Sequence, residues 1–504
     1  MTSVQNHQRL SNGNNGTKYF GLLFLLIFAS SCVFFKPVNS TTGSNKPDFP
    51  KDLEGPKKVD PNTGEIVYNQ QLDVDLDTIE WSEGNKMSLV IISDAEMVFN
   101  NQEKDPNTFS SGMSMAFFLP FNATKLNSLE NKIPAASMDA IHYHNGIIMA
   151  LDELKEKNIL IDAYFYDTEG NPATLKSKLN GNRNLAKVDL LVGPFKKNCA
   201  VELAEYAKTN KKPLVSPRVM NTTVTESNPY YLQMNPSVKA HCEALMKHAL
   251  ANFSPEQIVV VGRASEKSEL EMMRYCIEYF DSTKLATDTS YIKEFIITDD
   301  TPGYTEVDVL PMMHQSKPSA IIIPSFRDES FVYEMLNKIR INQENKMINV
   351  YGLPQWKTKF VNIAPSMYES LNVHITSANF IDLFDPEIKQ WIAAYNEKFA
   401  MIPDDEAFTA YTTTKYFGKL FSIHGPDFHF MLETLPDENL ITKYQLEKVM
   451  MPIIQYQDDF SYMPVSRFEN KYLHILKFHD HFFQPVDKLE ELLNEGSEFT
   501  EDRN

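Results

Sequence analysis

The sequence predicts an α/β chain built on mostly parallel sheets, and three observations predict it. From residue 113 onward, short apolar runs alternate with segments of helical spacing, which is the rhythm of βαβ units. One of these runs, "DLLVGP" (189–194), is closed by Gly-Pro and reads as a buried strand running into a helix. At 504 residues, 42% of them apolar, with 33 Phe and 22 Tyr, the chain has material for more than one packed domain.

The elements follow in order. "MSMAFFLPFN" (113–122) is a strand ending in Pro-Phe-Asn. In "SMDAIHYHNGIIMALDELKEKN" (137–158), Ile141, Ile148, Leu151 and Leu154 fall on one helical stripe. "IDAYFYDTEG" (161–170) is a strand and turn, 171–188 a helix, 189–194 a strand, 196–211 a helix and "PLVSP" (213–217) a strand. "YYLQM" (230–234) is another. The alternation resumes with a helix over 237–253, "QIVVVGR" (257–263), a helix over 265–280, "YIKEFII" (291–297) and a partly helical 306–317. It continues with "SAIIIPS" (319–325), a helix over 329–343, "INVYGLP" (348–354) and an extended "NVHITSANF" (372–380). Helices over 385–401 and 405–425 follow, and 459–486 reads as a β-hairpin or meander.

The chain's start has its own logic. Residues 1–32 hold Arg9, Lys18 and no acid, then the apolar "YFGLLFLLIF" (19–28) and the small residues of "ASSC" (29–32), the layout of a secretory signal. The residues before Cys32 resemble a bacterial lipobox, with Phe28 and Ala29 where Leu is common, so Cys32 is expected to be lipidated. An uncleaved signal anchor is the alternative. Either way the body lies outside the cytoplasm, tethered to a membrane. Residues 33–80, rich in Asn, Ser, Thr, Pro and Lys, read as a flexible linker with a span of about 40 Å. Residues 81–112 read as an extra segment, and 488–504 as an acidic tail.

A net charge of −19 argues against nucleic acid, because an acidic chain repels phosphates. Past the signal three cysteines remain, an odd count that leaves at least one thiol free. Two of them, Cys242 and Cys276, lie on expected helices and read as small core residues. Gly-x-Ser-x-Gly, His-Glu-x-x-His and Walker A patterns are absent, so no catalytic residues are assigned. "HYH" (142–144) and "HDH" (479–481) lack an evident third ligand, so no metal or other cofactor is assigned.

The ordered set of elements resembles the type I periplasmic binding-protein fold, as in branched-chain amino-acid binding proteins. "NGIIMALDELKEKNILIDAYFYDTEGNP" is similar to that family's first helix, second strand and Asp-Thr turn. "VDLLVGPFKKN" resembles its Gly-Pro strand end, and "KKPLVSPRVMNTTVTESNPYYLQMNPS" its Ser-Pro loop and first crossover. The late helix pair (384–417) and the closing hairpin (451–478) are similar too. The resemblance covers about 113–487. It implies two lobes, each a mostly parallel sheet flanked by helices, joined by three crossovers near 235, 377 and 450. Lobe 1 would be 113–235 plus 378–450, and lobe 2 would be 236–377 plus 451–487.

Carried over residue by residue, the resemblance implies an interlobe cleft lined by loops at the carboxyl ends of strands, as in open α/β sheets generally. Lobe 1 supplies Asn122, then Phe195, Lys196 and Lys197, then Ser216, Arg218 and Asn221. Lobe 2 supplies Arg263, Ser265, Ser325, Arg327 and Gln355. Amino-acid binders place small hydroxyl residues where this chain has Lys196 and Lys197, and a small residue with Thr where it has Arg218 and Val219. One reading is a cationic cleft for an acidic ligand. The other is that these side chains, with Phe195, Phe326 and Met220, fill a cleft that binds no small molecule. The expected function is therefore non-enzymatic: a bacterial envelope lipoprotein that binds a solute, an amino acid or related molecule, for transport or sensing. The alternative is an interaction lipoprotein with an envelope protein as partner, since proteins of this fold are known to regulate peptidoglycan synthases.

Overall fold

The strand Met113–Leu119 shows why the chain layers as it does. Met113, Met115, Phe117 and Leu119 enter one apolar core, while Ala116 and Phe118 enter another on the opposite face. A strand apolar on both faces needs cover on both sides, and parallel sheets with flanking helices provide it. In this computed structural model the described residues are 57–59, 66–68, 113–125, 133–220, 222–224, 227–285, 287–298, 302–434, 437–451 and 465–489.

The stretch expected to be linker contains a hairpin: β1 (Lys57–Val59) pairs antiparallel with β2 (Ile66–Tyr68) across "DPNTGE". The first lobe then begins. β3 is the strand at Met113–Leu119, followed by α1 (Met138–Glu156), β4 (Ile161–Asp167) and α2 (Pro172–Leu179). Next come β5 (Leu190–Val192), α3 (Lys197–Thr209), β6 (Leu214–Ser216) and β7 (Tyr231–Gln233). The chain crosses and builds the second lobe from α4 (Val238–Asn252), β8 (Ile258–Arg263), α5 (Lys267–Thr283), β9 (Lys293–Ile297) and β10 (Ser319–Ile322). That lobe continues with α6 (Glu329–Asn342), β11 (Ile348–Gly352), α7 (Gln355–Thr358), α8 (Pro365–Ser370) and β12 (His374–Ser377).

After the second crossover, α9 (Pro386–Phe399) and α10 (Asp405–His424) pack on the first lobe, followed by a two-residue pair, β13 (Asp437–Glu438) with β14 (Lys443–Tyr444). β15 (Leu446–Met450) and β16 (Val465–Asn470) complete the first sheet; β17 (His474–His479) and β18 (Phe482–Pro485) complete the second. Among the described residues the sheet orders are β15-β16-β7-β6-β5-β3-β4 and β18-β17-β12-β11-β10-β8-β9, with parallel pairing from β7 to β4 and from β12 to β9.

One expectation needs correction. The third crossover lies at 471–473, not near 450, because β16 pairs with β7 and β15 in the first sheet. The two arms of the expected closing hairpin thus belong to different lobes. The signal with Cys32, the 81–112 segment and residues 490–504 lie outside the described residues.

The crossovers are tied by one buried acid. Glu469, at the end of β16, accepts the Ser237 backbone N–H of the first crossover at 2.9 Å and Arg467 Nη2 at 2.7 Å, with Lys471 Nζ at 3.4 Å. Burial alone would raise its carboxyl, but Lys471, Arg467 and the Ser237 hydrogen bonds bring it below the usual range. Helix packing in the first lobe is equally tight. A Cβ on Gly146 of α1 would stand 2.1 Å from the Ala407 carbonyl oxygen of α10, so only glycine lets these helices approach. Cys199, Cys242 and Cys276 are buried free thiols in helices, and the Cys276 Sγ lies 3.6 Å from the Cys242 carbonyl.

Candidate functional site

The carboxyl ends of the parallel strands in both lobes carry the expected loops, and each loop has a local cause. After β5, Gly193 has φ 115°, open to glycine and strained for other residues, and a Cβ there would meet the Phe118 carbonyl oxygen at 2.6 Å. The turn presents Phe195, whose ring packs edge-on against Tyr143 (4.9 Å between centroids) and lies 5.0 Å from the Arg218 guanidinium carbon. Lys196 is the exposed N-cap of α3, and its aliphatic stem runs along the Gly170 turn; Lys197 is half-buried. The first turn of α3 holds no acid, so its dipole meets lysines alone, and the exposure of Lys196 lets water screen its charge. Asn122, with φ 54°, spends its side chain locally: Nδ2 donates to the Pro120 carbonyl at 2.8 Å and Oδ1 accepts from Lys125.

The expected cationic cleft is not what the arginines form. Arg218 Nη1 binds Asp139 Oδ2 at 2.9 Å, and its Nε lies 3.3 Å from Glu406 Oε1. Burial opposes its charge, but Glu406 and Asp139 more than offset that, and its pKa is raised. Arg263 is fully committed inside lobe 2. It makes a two-pronged pair with Glu269 (2.5 and 2.9 Å), bonds Asp328 at 2.6 Å and Tyr304 at 2.8 Å, and stacks on Phe331. Such a guanidinium is structural, since the fork is already satisfied. Arg327 is exposed, with its guanidinium carbon 5.0 Å from the Phe326 ring, and Ser265 is exposed. Asn221 lies outside the described residues.

Three other expected residues are buried at or just past strand ends. Ser216 ends β6, Ser325 follows β10 and Gln355 follows β11, and they are 0%, 1% and 8% exposed. Ser325 Oγ and Gln355 Oε1 are buried atoms without a hydrogen-bond partner among the described residues, whereas the Ser216 hydroxyl lies against the buried Tyr231 hydroxyl. Gln355 borders a small cavity between the lobes, walled by Met220 of lobe 1 and by Val238, His241, Phe326, Leu353 and Pro354 of lobe 2. Its volume of about 10 Å³ matches one water. His241 bonds Thr376 Oγ1 at 2.7 Å, and burial pushes its imidazole down to about 4, so it is neutral at pH 7.

Sequence reasoning missed the acids around Arg218. Asp404 caps α10 through the Glu406 and Ala407 amides, and Asp405 and Glu406 fill its first turn, as the helix dipole favours. Burial pushes Glu406 up to about 7: Arg218 pulls the other way, but it is shared with Asp139, and Asp139, Asp404 and Asp405 add repulsion. Burial raises Asp404 as well. From the opposite lobe Lys357 feels the attraction of Asp405, while burial holds its ammonium below the usual range. Capping acids look like solvated charge in a sequence; only the long-range contacts show Asp139 and Glu406 as partners of Arg218. The histidine pairs serve elsewhere: His142 Nδ1 bonds Tyr395 Oη at 2.9 Å, and His479 begins the β17–β18 turn. Among the described residues no His, Cys, Asp and Glu group is arranged to hold a metal.

Comparisons with known proteins agree on the fold. The family described as periplasmic binding protein has a sequence model that matches residues 134–429. A putative branched-chain amino acid ABC transporter structure from Rhodospirillum rubrum superposes with a TM-score of 0.52 at 11% identity, covering 75% of this chain and 100% of that one. An ABC transporter substrate-binding protein from Desulfitobacterium hafniense, in complex with Leu, gives 0.46 at 11% identity over 75% and 100%. Full-length LpoA from Haemophilus influenzae gives 0.46 at 12% identity over 75% and 59%. No curated protein matches the sequence.

Proposed function

This chain belongs to the periplasmic binding protein family, and on that premise we propose that it holds a small solute, an amino acid or related molecule, between its lobes for a transport or sensing system. Membership implies a periplasmic body, and the lipobox-like residues before Cys32 support a lipid anchor to a bacterial membrane. The family is one of binding proteins, and the proposed role is binding without catalysis. The observation that carries the reading is the pair Ser325 and Gln355: buried polar atoms without partners among the described residues, past strand ends of lobe 2, with Gln355 on the cavity that Met220 of lobe 1 helps to wall. An unsatisfied buried polar atom costs about 1–3 kcal/mol, and a solute with hydrogen-bonding groups removes that cost. Met220, Phe326 and Leu353 supply the apolar lining that small-molecule sites combine with a few polar groups. With a cavity of about 10 Å³, entry requires the lobes to part, which is the hinge motion of such folds.

The test is a thermal-shift screen of the mature protein against amino acids, peptides and cell-wall fragments. A ligand at a hundred times its Kd adds about 2.7 kcal/mol and raises Tm. No shift with any of them sinks solute binding. The same small cavity favours a second reading, in which Met220 and Phe326 plug the cleft and the body binds an envelope protein. Under that reading the screen stays flat, and a specific partner is captured from the envelope by the wild type and lost with surface variants.

A further inference from the structure

We propose that Cys242 of α4 and Cys276 of α5 join as a disulfide in the envelope, a covalent staple inside lobe 2; this rests on the periplasmic body that family membership implies, not on solute binding. The placement of the two residues is the first observation. α4 and α5 pack together and share one apolar core, in which both cysteines are 0% exposed. The Cys276 Sγ stands 3.6 Å from the Cys242 carbonyl oxygen, 34 positions away in the chain. The two thiols also hydrogen-bond with each other, and that bond, ahead of burial, holds the Cys242 thiol above its ordinary range. A disulfide spans a Cα separation of about 4.4–6.8 Å, which neighbouring residues on packed helices meet.

The second observation is the compartment. A periplasm is oxidising, and touching thiols there persist as disulfides, whereas a reducing cytosol keeps them as thiols. Other uses of the pair fit less well. Full burial and a raised pKa make Cys242 a poor nucleophile. Among the described residues no His, Cys, Asp and Glu group is arranged to hold a metal, so the two thiols lack the further ligands zinc takes. Cys199 stands apart in a core of lobe 1 that holds no second cysteine among the described residues, and burial pushes its thiol up to about 11. It serves as an internal reference. The step balances as thiol–disulfide exchange with the disulfide of a thiol oxidoreductase. One cysteine thiolate attacks a sulfur of that disulfide and frees one donor thiol. The other cysteine thiolate then attacks the mixed bond, the Cys242–Cys276 bond forms, and the donor leaves as a dithiol carrying both electrons and both protons. With both sulfurs sealed in the finished core, the exchange takes place before α4 closes on α5. The consequence reaches the cleft. α4 carries Val238 and His241 and α5 carries Met272 and Tyr275, and these line two small gaps that meet at Phe326. The staple fixes the two helices that form this wall.

Thiol mapping of the full chain, expressed with its own signal and taken from the envelope fraction, tests this. The sample is acid-quenched, denatured, labelled with a maleimide and digested without reductant for mass spectrometry. The expected result is a label on Cys199, none on Cys242 or Cys276, and a linked peptide pair joining Cys242 to Cys276 that dithiothreitol separates. In Cys276→Ser, with fold checked by circular dichroism, the Cys242 peptide should take the label. Melting in dithiothreitol should lower the Tm of the wild type by at least about 3 °C and leave a Cys242→Ala, Cys276→Ala double variant unmoved. Labels on both Cys242 and Cys276 in the envelope protein overturn the inference, and so does a bridge from either of them to Cys199. A wild-type melt that dithiothreitol does not shift overturns the bond as a staple.

Discussion

Replacing Glu406 with Gln should change how stability depends on pH, by an amount the structure sets. In the native state burial and the neighbouring Asp139, Asp404 and Asp405 hold the Glu406 carboxyl at about 7, against the pull of Arg218. In the unfolded chain it titrates near its ordinary value of about 4.3. Between these values the folded protein keeps a proton that the unfolded protein has released. A raised carboxyl therefore contributes stability that is present below about pH 4.5 and lost as pH rises toward 7 and above. At 1.36 kcal/mol per pKa unit the loss is roughly 3 kcal/mol. Glutamine cannot ionise and keeps the neutral form's hydrogen bonding. Other groups act across the same range: His241, pushed down to about 4, and His374, pushed down to about 3 by burial, gain stability as pH rises. Glu153, held down to about 2 by Lys157, Lys415 and Tyr411 against burial, loses its contribution only below the range. The difference between the two proteins isolates Glu406. Urea unfolding at pH 4.5, 6 and 7.5 should show Glu406→Gln gaining about 3 kcal/mol relative to wild type from the lowest pH to the highest. A difference that is flat, or that favours wild type at pH 7.5, refutes the reasoning.

Other perturbations follow from single contacts. Gly146→Ala drives a Cβ to 2.1 Å from the Ala407 carbonyl; overpacking of about 1–3 kcal/mol should exceed the helix-propensity gain of about 1 kcal/mol and lower Tm in a thermal melt. Glu269→Ala removes the two-pronged partner of the buried Arg263 guanidinium and leaves it Asp328 and Tyr304, and urea unfolding should record a loss of about 1.5–3 kcal/mol, whereas Lys196→Ala, at an exposed residue, should stay within about 0.5 kcal/mol. Cys32→Ala should release the protein from the membrane fraction or block its processing; unchanged attachment favours the uncleaved anchor.

The mostly parallel sheets were legible in the sequence because βαβ alternation is local, each strand and helix announcing itself within a dozen residues; their division into two lobes was implied by the resemblance to type I periplasmic binding proteins. Charge pairing is not local. Arg218 meets an acid 79 positions upstream and another from the start of α10, so a cationic cleft stays open as one of two readings of the sequence, and only the placed partners of Arg218 and Arg263 count against it. The third crossover was misread for a related reason. "VSRFEN" holds Ser, Arg, Glu and Asn in six residues, the look of a half-exposed hairpin arm, yet all six are buried because Arg467 and Glu469 neutralise each other and Asn470 Nδ2 bonds the Met234 carbonyl. The hairpin in the expected linker had a signal, "DPNTGE" between two Val-containing runs, outweighed by the polar composition around it. Ser216, Ser325 and Gln355 could be placed at or just past strand ends from the sequence, because fold topology alone dictates that position.

The knot around Glu469 has a mechanical meaning. The carboxylate holds the start of the first connector and the end of the strand leading into the third, while the second connector is stitched to lobe 1 through Phe380 N–H on the Ile441 carbonyl and Thr442 Oγ1 on the Ala378 carbonyl. Joined at these points, the two halves are kept from sliding apart or drifting independently, and the easy coordinate left to them is a turn about one axis. A receptor that grips both halves would then read a single angle, and occupancy of the gap would reach it as a change in that angle.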